Sequence, residues 1–189
     1  TVKPSWQEYE KEEEEDEIVI EIDPGMAFGT GTHETTSLCV ELLEKYSAGK
    51  ENLLDIGCGS GILMLIGKKM GINNVDGIDI DPNVKSVVIE NMQRNHINEN
   101  YNVIIGNLVD DVDEKYDIIV SNILVDVLTQ LLDSMETVLK DGAIIIFSGI
   151  LKEKSEDFIK MAETHSFIEI ERKEKNKWSA VAFKYEKDK

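Results

Sequence analysis

Asp55, Gly57, Gly59 and Gly61 stand at every second position in "DIGCGSGILML", residues 55–65. Glycines so spaced permit positive φ and let a ligand approach the backbone closely, although a tight turn without any ligand uses the same residues. A second acid sharpens the choice. "VDGIDID" places Asp79 at the end of the next apolar run, where a carboxylate accepts hydrogen bonds from both hydroxyls of a ribose. Together the two features predict a ligand that contains a nucleoside. A dinucleotide calls for G-x-G-x-x-G or Ala, so that pyrophosphate rests on a helix N-terminus, whereas the spacing here is G-x-G-x-G and the position expected to be small is Ile62. That disfavours a dinucleotide oxidoreductase. With no Gly-Lys-Ser/Thr run to hold a triphosphate, the pocket is suited to a nucleoside ligand without phosphates.

These residues need a scaffold, and the hydropathy pattern predicts one. "EIVIEID" at 17–23 alternates as a half-exposed strand does, and Pro24 and Gly25 end it before the Gly- and Thr-rich loop "GMAFGTGTHETT". Thr36, Val40, Leu43 and Tyr46 recur at helical spacing, which predicts a first helix over 33–46 with Thr32 as its N-cap. From residue 52 the chain reads as strand "NLLDIG", helix 61–70, strand "NVDGID", and helix 82–95 with Asp81 as N-cap and Pro82 in its first turn. Strands "NVIIGN" and "YDIIVSNI", a helix over 125–139, strand "AIIIFSG" and a helix over 153–165 continue the rhythm. Such alternation predicts a doubly wound α/β fold, a mostly parallel sheet covered on both faces. "FIEIERKEK" and "WSAVAFKY" are separated by little more than "NK" and form a C-terminal hairpin, so one of seven strands runs antiparallel.

The 189 residues suffice for one well-packed core. A net charge of −18, from 38 acidic and 20 basic residues, repels phosphate backbones and anionic lipid; we expect no direct nucleic-acid or membrane partner, and a basic protein to be steered in. Eight of the acids lie in "EYEKEEEEDE", residues 8–17, which reads as solvated linker or exposed helix. No apolar run approaches the roughly 18 residues that span a bilayer, and no charged-then-apolar leader opens the chain, so the expected location is cytoplasmic. Cys39 and Cys58 are the two cysteines, and a disulfide at Cys58 would obstruct the glycine-rich turn, so both are expected as reduced thiols. We expect no metal site: there is no CxxC pair, and "HETTS" at 33–37 lacks the second His of a zinc-protease helix. The start at Thr1, with the loop-like "TVKPSW", reads as that of a fragment.

An acid followed by G-x-G-x-G, a second acid closing the next strand, and seven strands ending in a reversed hairpin strand together resemble the class I S-adenosylmethionine-dependent methyltransferases over residues 52–185. The resemblance implies a Rossmann-like methyltransferase fold and S-adenosyl-L-methionine as cofactor. It places Gly57 and Gly59 at the methionine part, Asp79 on ribose, and "GNL" at 106–108 beside adenine, with Asp55 also among the cofactor-binding residues; Asn107 reads equally as a polar turn residue. "DPGMAFGTGTHETT", residues 23–36, further resembles the signature loop of the methyltransferases that modify protein eleven of the large ribosomal subunit, and "SNIL" at 121–124 and "SGIL" at 148–151 fit that family. This implies that Phe28 and Thr30 lie in a loop covering the cofactor, that Thr36 contacts it, and that Asn122 sits beside the methyl group. Taken as residues alone, Thr36 belongs to a helix's first turn, Asn122 is a strand-end residue satisfying nearby backbone, and His33 is a helix-start residue rather than a general base.

Methyl transfer from a sulfonium is an in-line displacement with an activated leaving group, so it requires a well-placed uncharged nucleophile and neither a nucleophilic side chain nor a metal. For an amine acceptor, a polar cage of carbonyls and the Asn122 amide would orient the lone pair. The family implies protein amines as acceptors, lysine side chains and a terminal amino group, on large-subunit ribosomal protein eleven. It also implies an N-terminal substrate-recognition domain. The expected organisation is therefore an acidic linker remnant at 1–16 and a methyltransferase domain at 17–189, monomeric, with the recognition domain outside this chain. Two alternatives keep every cofactor motif: a methyltransferase for a small molecule or another protein, and a non-catalytic S-adenosylmethionine-binding module.

Overall fold

The computed structural model describes residues 1–4, 7–9, 17–23 and 33–187. After β1 (Val2–Lys3) and β2 (Ile20–Glu21), the chain runs through α1 (Glu34–Tyr46), β3 (Asn52–Ile56), α2 (Ile62–Lys69), β4 (Asn74–Asp79), α3 (Val84–Arg94) and β5 (Tyr101–Ile105). It continues with β6 (Tyr116–Asn122), α4 (Val125–Leu132), a 3-10 turn (Met135–Val138), β7 (Leu139–Leu151), α5 (Lys152–Glu163), β8 (Phe167–Lys175) and β9 (Trp178–Tyr185). Among the described residues no helix is long and apolar enough to cross a membrane.

Seven strands form one sheet in the order β5-β4-β3-β6-β7-β9-β8. β9 is antiparallel to both of its neighbours and every other pairing is parallel, as expected from the short connection between β8 and β9. Because β3 leads outward through β4 and β5 on one side while β6 opens the other half, the chain order reverses between β3 and β6. Their carboxyl ends frame the crevice where open α/β sheets bind ligands. Successive side chains of each strand enter opposite cores: Leu53, Val75, Val103, Ile118 and Val120 pack with α1, α2 and α3, whereas Leu54, Ile56, Ile119, Ile145 and Phe147 pack with α4 and α5. Burial on both faces is why these strands are apolar throughout.

Several boundaries depart from the expectation. His33 caps α1 through its side chain, with Thr35 N donating to Nδ1 at 3.3 Å; Thr32, the expected cap, lies outside the described residues. Asp81 does not cap α3. It accepts from Asn83 N at 2.9 Å, turning the chain two residues before the helix, and Asn83 takes the cap position without a side-chain bond. The helix expected over 125–139 stops at Leu132, because Ser134 Oγ donates to Leu131 O and Thr137 Oγ1 to Ser134 O, and such bonds compete with the α-helical ladder. β7 is longer than "AIIIFSG", since Leu139 still pairs with Tyr116 and Leu151 with Trp178. Of "EIVIEID" only Ile20–Glu21 is strand, paired in parallel with Val2–Lys3 of the opening segment that the sequence alone presents as loop. Residues 10–16 of the acidic run lie outside the described residues.

Candidate functional site

The turn after β3 carries Gly57, Gly59 and Gly61, all at positive φ (76°, 50° and 78°). Gly57 cannot be replaced without movement: a Cβ there would lie 2.5 Å from Ile123 Cγ2, at the end of β6. The turn is held against β4, with Gly57 N and Cys58 N both donating to Ile78 O and Gly59 N donating to Asp79 Oδ2 at 3.0 Å. Asp79 Oδ1 accepts Asp81 N at 3.0 Å. A carboxylate has about four acceptor sites, so two amide bonds leave capacity for two hydroxyl donors. Asp79 is the register partner of Ile105 on β5, and exposed Ile80 follows it, so an apolar surface adjoins the carboxylate.

Asp55 lies beneath this turn, 1% exposed. Its carboxyl group is bonded by the Met64 amide in the first turn of α2, and its Oδ2 has no partner among the described residues. Burial, reinforced by the Asp79 charge and opposed by the Met64 amide, pushes its pKa up to about 8. The sign of the consequence is fixed. Between the ordinary carboxylate range and pH 8 the folded chain holds a proton that the unfolded chain releases, so this group makes stability fall as pH rises through that window. Asp55→Asn keeps the amide contact and cannot ionise. Its melting temperature is expected to gain on the wild type steadily from pH 5 to pH 8, and parallel pH profiles of the two proteins would refute the assignment. Burial likewise holds the Cys39 and Cys58 thiols above the usual range, and both are free.

On the other side of the switch point, Asn122 ends β6 and its Nδ2 donates to Thr36 Oγ1 at 3.3 Å, joining residues 86 positions apart. Two serines set this contact. Ser148 on β7, the register partner of Asn122, donates to Thr35 O at 3.0 Å and so fixes the first turn of α1; Ser121 donates to Ile56 O at 2.8 Å and ties β6 to β3. With its amide nitrogen engaged, Asn122 keeps a carbonyl oxygen free of described partners, beside Gly149. Exposed Leu124 follows at the start of α4. His33 acts as the cap of α1 and stacks edge-on with Trp178, ring centroids 5.4 Å apart.

The structure thus brings Asp55, Gly57, Gly59 and Asp79 to the carboxyl ends of β3 and β4, and Thr36 and Asn122 to the carboxyl end of neighbouring β6. Asn107 is exposed just beyond β5, where its Nδ2 donates to Asp110 Oδ2 at 3.2 Å; neighbouring Gly106 N donates to Asp79 O. Phe28 and Thr30 lie outside the described residues. The sequence reading missed Ile80, Ile105, Leu124 and Gly149. Ile80 had a signal, an apolar residue between two acids where a turn residue is expected; the φ of 84° at Gly149 had none beyond its place in "SGIL".

Comparison with known proteins places these features in context. The family described as Ribosomal protein L11 methyltransferase (PrmA) matches residues 1–186. A ribosomal protein L11 methyltransferase of Fusobacterium nucleatum is 45% identical over 185 residues, covering 97% of this chain and 59% of the relative. One from Clostridium perfringens is 42% identical over 183 residues, covering 97% and 58%. The chain therefore spans less than two thirds of the length of these relatives. The crystal structure of a ribosomal protein L11 methylase from Lactobacillus delbrueckii subsp. bulgaricus superposes with a TM-score of 0.89 at 30% identity, covering 98% of this chain and 94% of that one.

Proposed function

Since the chain belongs to the ribosomal protein L11 methyltransferase family, we propose that it transfers methyl groups from S-adenosyl-L-methionine to amines of a basic protein, lysine side chains and a terminal amino group of ribosomal protein L11. The observation that carries this reading is the meeting of Asn122 with Thr36 at the carboxyl end of β6, beside those of β3 and β4 with the glycine turn and Asp79. The residues present suit the cofactor. Asp55 offers an unpartnered buried carboxyl oxygen, the glycine turn offers three positions at positive φ with no side chain of their own, Asp79 retains acceptor capacity for two ribose hydroxyls, and Ile80 and Ile105 give an apolar surface for a base. Phe28 and Thr30 complete the proposed set, with Asn107 at the base.

The bound cofactor supplies a methyl group activated on sulfur. The protein's task is to present a neutral amine in line with it, a positioning effect of several kcal/mol. Thr36 holds the Asn122 amide nitrogen, so the Asn122 carbonyl accepts an amine N–H and turns the lone pair toward the methyl carbon. Residues 17–189 form the methyltransferase domain, and 1–16 the linker leading into it. We place recognition of the acceptor in a further domain, and read the chain as cytoplasmic and monomeric. The surplus of acids draws in a basic acceptor and repels nucleic acid.

Incubation with radiolabelled S-adenosylmethionine and purified ribosomal proteins tests this reading. One labelled band at L11 is expected; label on another protein, or none despite cofactor binding, would overturn the acceptor or the activity. Asp79→Ala is expected to weaken S-adenosylhomocysteine binding on the order of 10²-fold by calorimetry, two hydrogen bonds to a charged group being lost. Unchanged affinity would remove Asp79 from the site.

A further inference from the structure

Asn91 and Arg94 lie in the last turn of α3 and Asn95 is its C-cap residue, Arg94 and Asn95 following Asn91 by three and four positions, so that the three side chains leave one end of the helix. Asn91 is buried, and its Nδ2 donates at 2.9 Å to the carbonyl of Ser60, which lies between Gly59 and Gly61 in the glycine turn. Buried Asn95 faces the other way. Its Oδ1 accepts Glu21 N at 2.9 Å, its Nδ2 donates to Glu21 O at 2.7 Å, and Nδ2 also reaches Asn91 O at 2.8 Å. Arg94 Nη1 pairs with Asp23 at 2.7 Å.

This arrangement explains why a strand of two residues holds. Ile20 N and Ile22 N donate to Thr1 O and Lys3 O on one edge of β2, and Glu21, pointing the opposite way, finds both backbone partners in the Asn95 amide. Asn95 therefore substitutes for a neighbouring strand. Through one helical turn, the segment that enters residues 24–32 is locked to the glycine turn 37 residues after Asp23.

We propose that Asn91, Arg94 and Asn95 are positioning residues for the cofactor site, setting the glycine turn and the Glu21–Asp23 segment in the register that S-adenosylmethionine requires. The proposal rests on the S-adenosylmethionine reading above. It assigns these residues an effect on cofactor affinity through Ser60 and Asp23 and none on the transfer step. The Arg94–Asp23 pair, with Arg94 exposed and Asp23 half-buried, contributes little to stability, so it separates positioning from folding.

The test is calorimetric titration of the 189-residue chain with S-adenosylhomocysteine, alongside thermal melting and turnover at saturating S-adenosylmethionine. Arg94→Glu is expected to weaken binding on the order of tenfold with an almost unchanged melting temperature and saturated turnover. The reciprocal pair Asp23→Arg with Arg94→Glu is expected to recover most of the affinity, which a merely structural role would not produce. Asn95→Asp, which keeps the acceptor for Glu21 N and loses the donor, is expected to weaken binding as well. Wild-type binding with unaltered affinity in Arg94→Glu, or no recovery in the charge-swapped pair, would overturn the proposal alone. No binding by the wild type would overturn the cofactor reading and this proposal with it.

Discussion

Gly149→Ala is expected to lose both thermal stability and turnover, more severely than the same change at any other described glycine outside the glycine turn. Gly149 sits at φ 84° on β7, and a Cβ there would fall well inside contact distance of the Ile123 carbonyl oxygen, with Asn122 Oδ1 3.4 Å away. The left-handed conformation alone costs about 1–2 kcal/mol for a residue with a side chain. The obstructing atom is backbone and cannot rotate away, so β6 and β7 must part at their carboxyl ends, adding about 1–3 kcal/mol. A fall in melting temperature on the order of 10 °C follows for a chain of this size. Gly49→Ala is the matched control. Gly49 has φ 74° with nothing within 4 Å of a Cβ, so it carries the conformational cost without the collision. The folded fraction of Gly149→Ala should also turn over slowly at 25 °C, because the displaced chain is the one that carries Asn122. Equal melting temperatures and turnover in the two variants would show that the close approach of β7 to Ile123 has no role.

How far these features could be read beforehand depended on how local their causes are. β8 and β9 match "FIEIERKEK" and "WSAVAFKY" residue for residue, because alternation and a two-residue turn are encoded within the segment itself. The sequence pattern starts α3 two residues early because Asp81 and Asn83 are both competent caps, and the turn through Asp81 Oδ1 decides between them. The alternation at 17–23 overstates β2 because its second edge is satisfied by the side chain of Asn95, 74 residues away, which no local pattern announces. The candidate site divides in the same way. The glycine turn and Asp79 belong to one strand-turn-helix unit and the strand after it, and were legible from residue types and spacing. Thr36 and Asn122 look ordinary in isolation and were singled out only through resemblance. The bond between them depends on Ser148 reaching α1 and on the position of β6 at the switch point, both properties of the assembled sheet.

The assembled contact also yields the sharper functional expectation. Asn122→Ala removes the carbonyl proposed to orient the amine while leaving the glycine turn, Asp55 and Asp79 intact, so S-adenosylhomocysteine affinity should stay close to wild type while turnover at saturating cofactor falls roughly 10²-fold, the scale of a misplaced reacting group. Thr36→Val should cost less, since the carbonyl remains and only its orientation is loosened by loss of the 3.3 Å bond. If Thr36 acts on turnover through Asn122, adding Thr36→Val to Asn122→Ala should lower turnover no further, because the group it orients is already absent. Additive losses would instead mean that Thr36 and Asn122 act independently, with Thr36 working through the cofactor. A turnover in Asn122→Ala equal to wild type would exclude Asn122 from amine positioning, whatever its place beside the crevice.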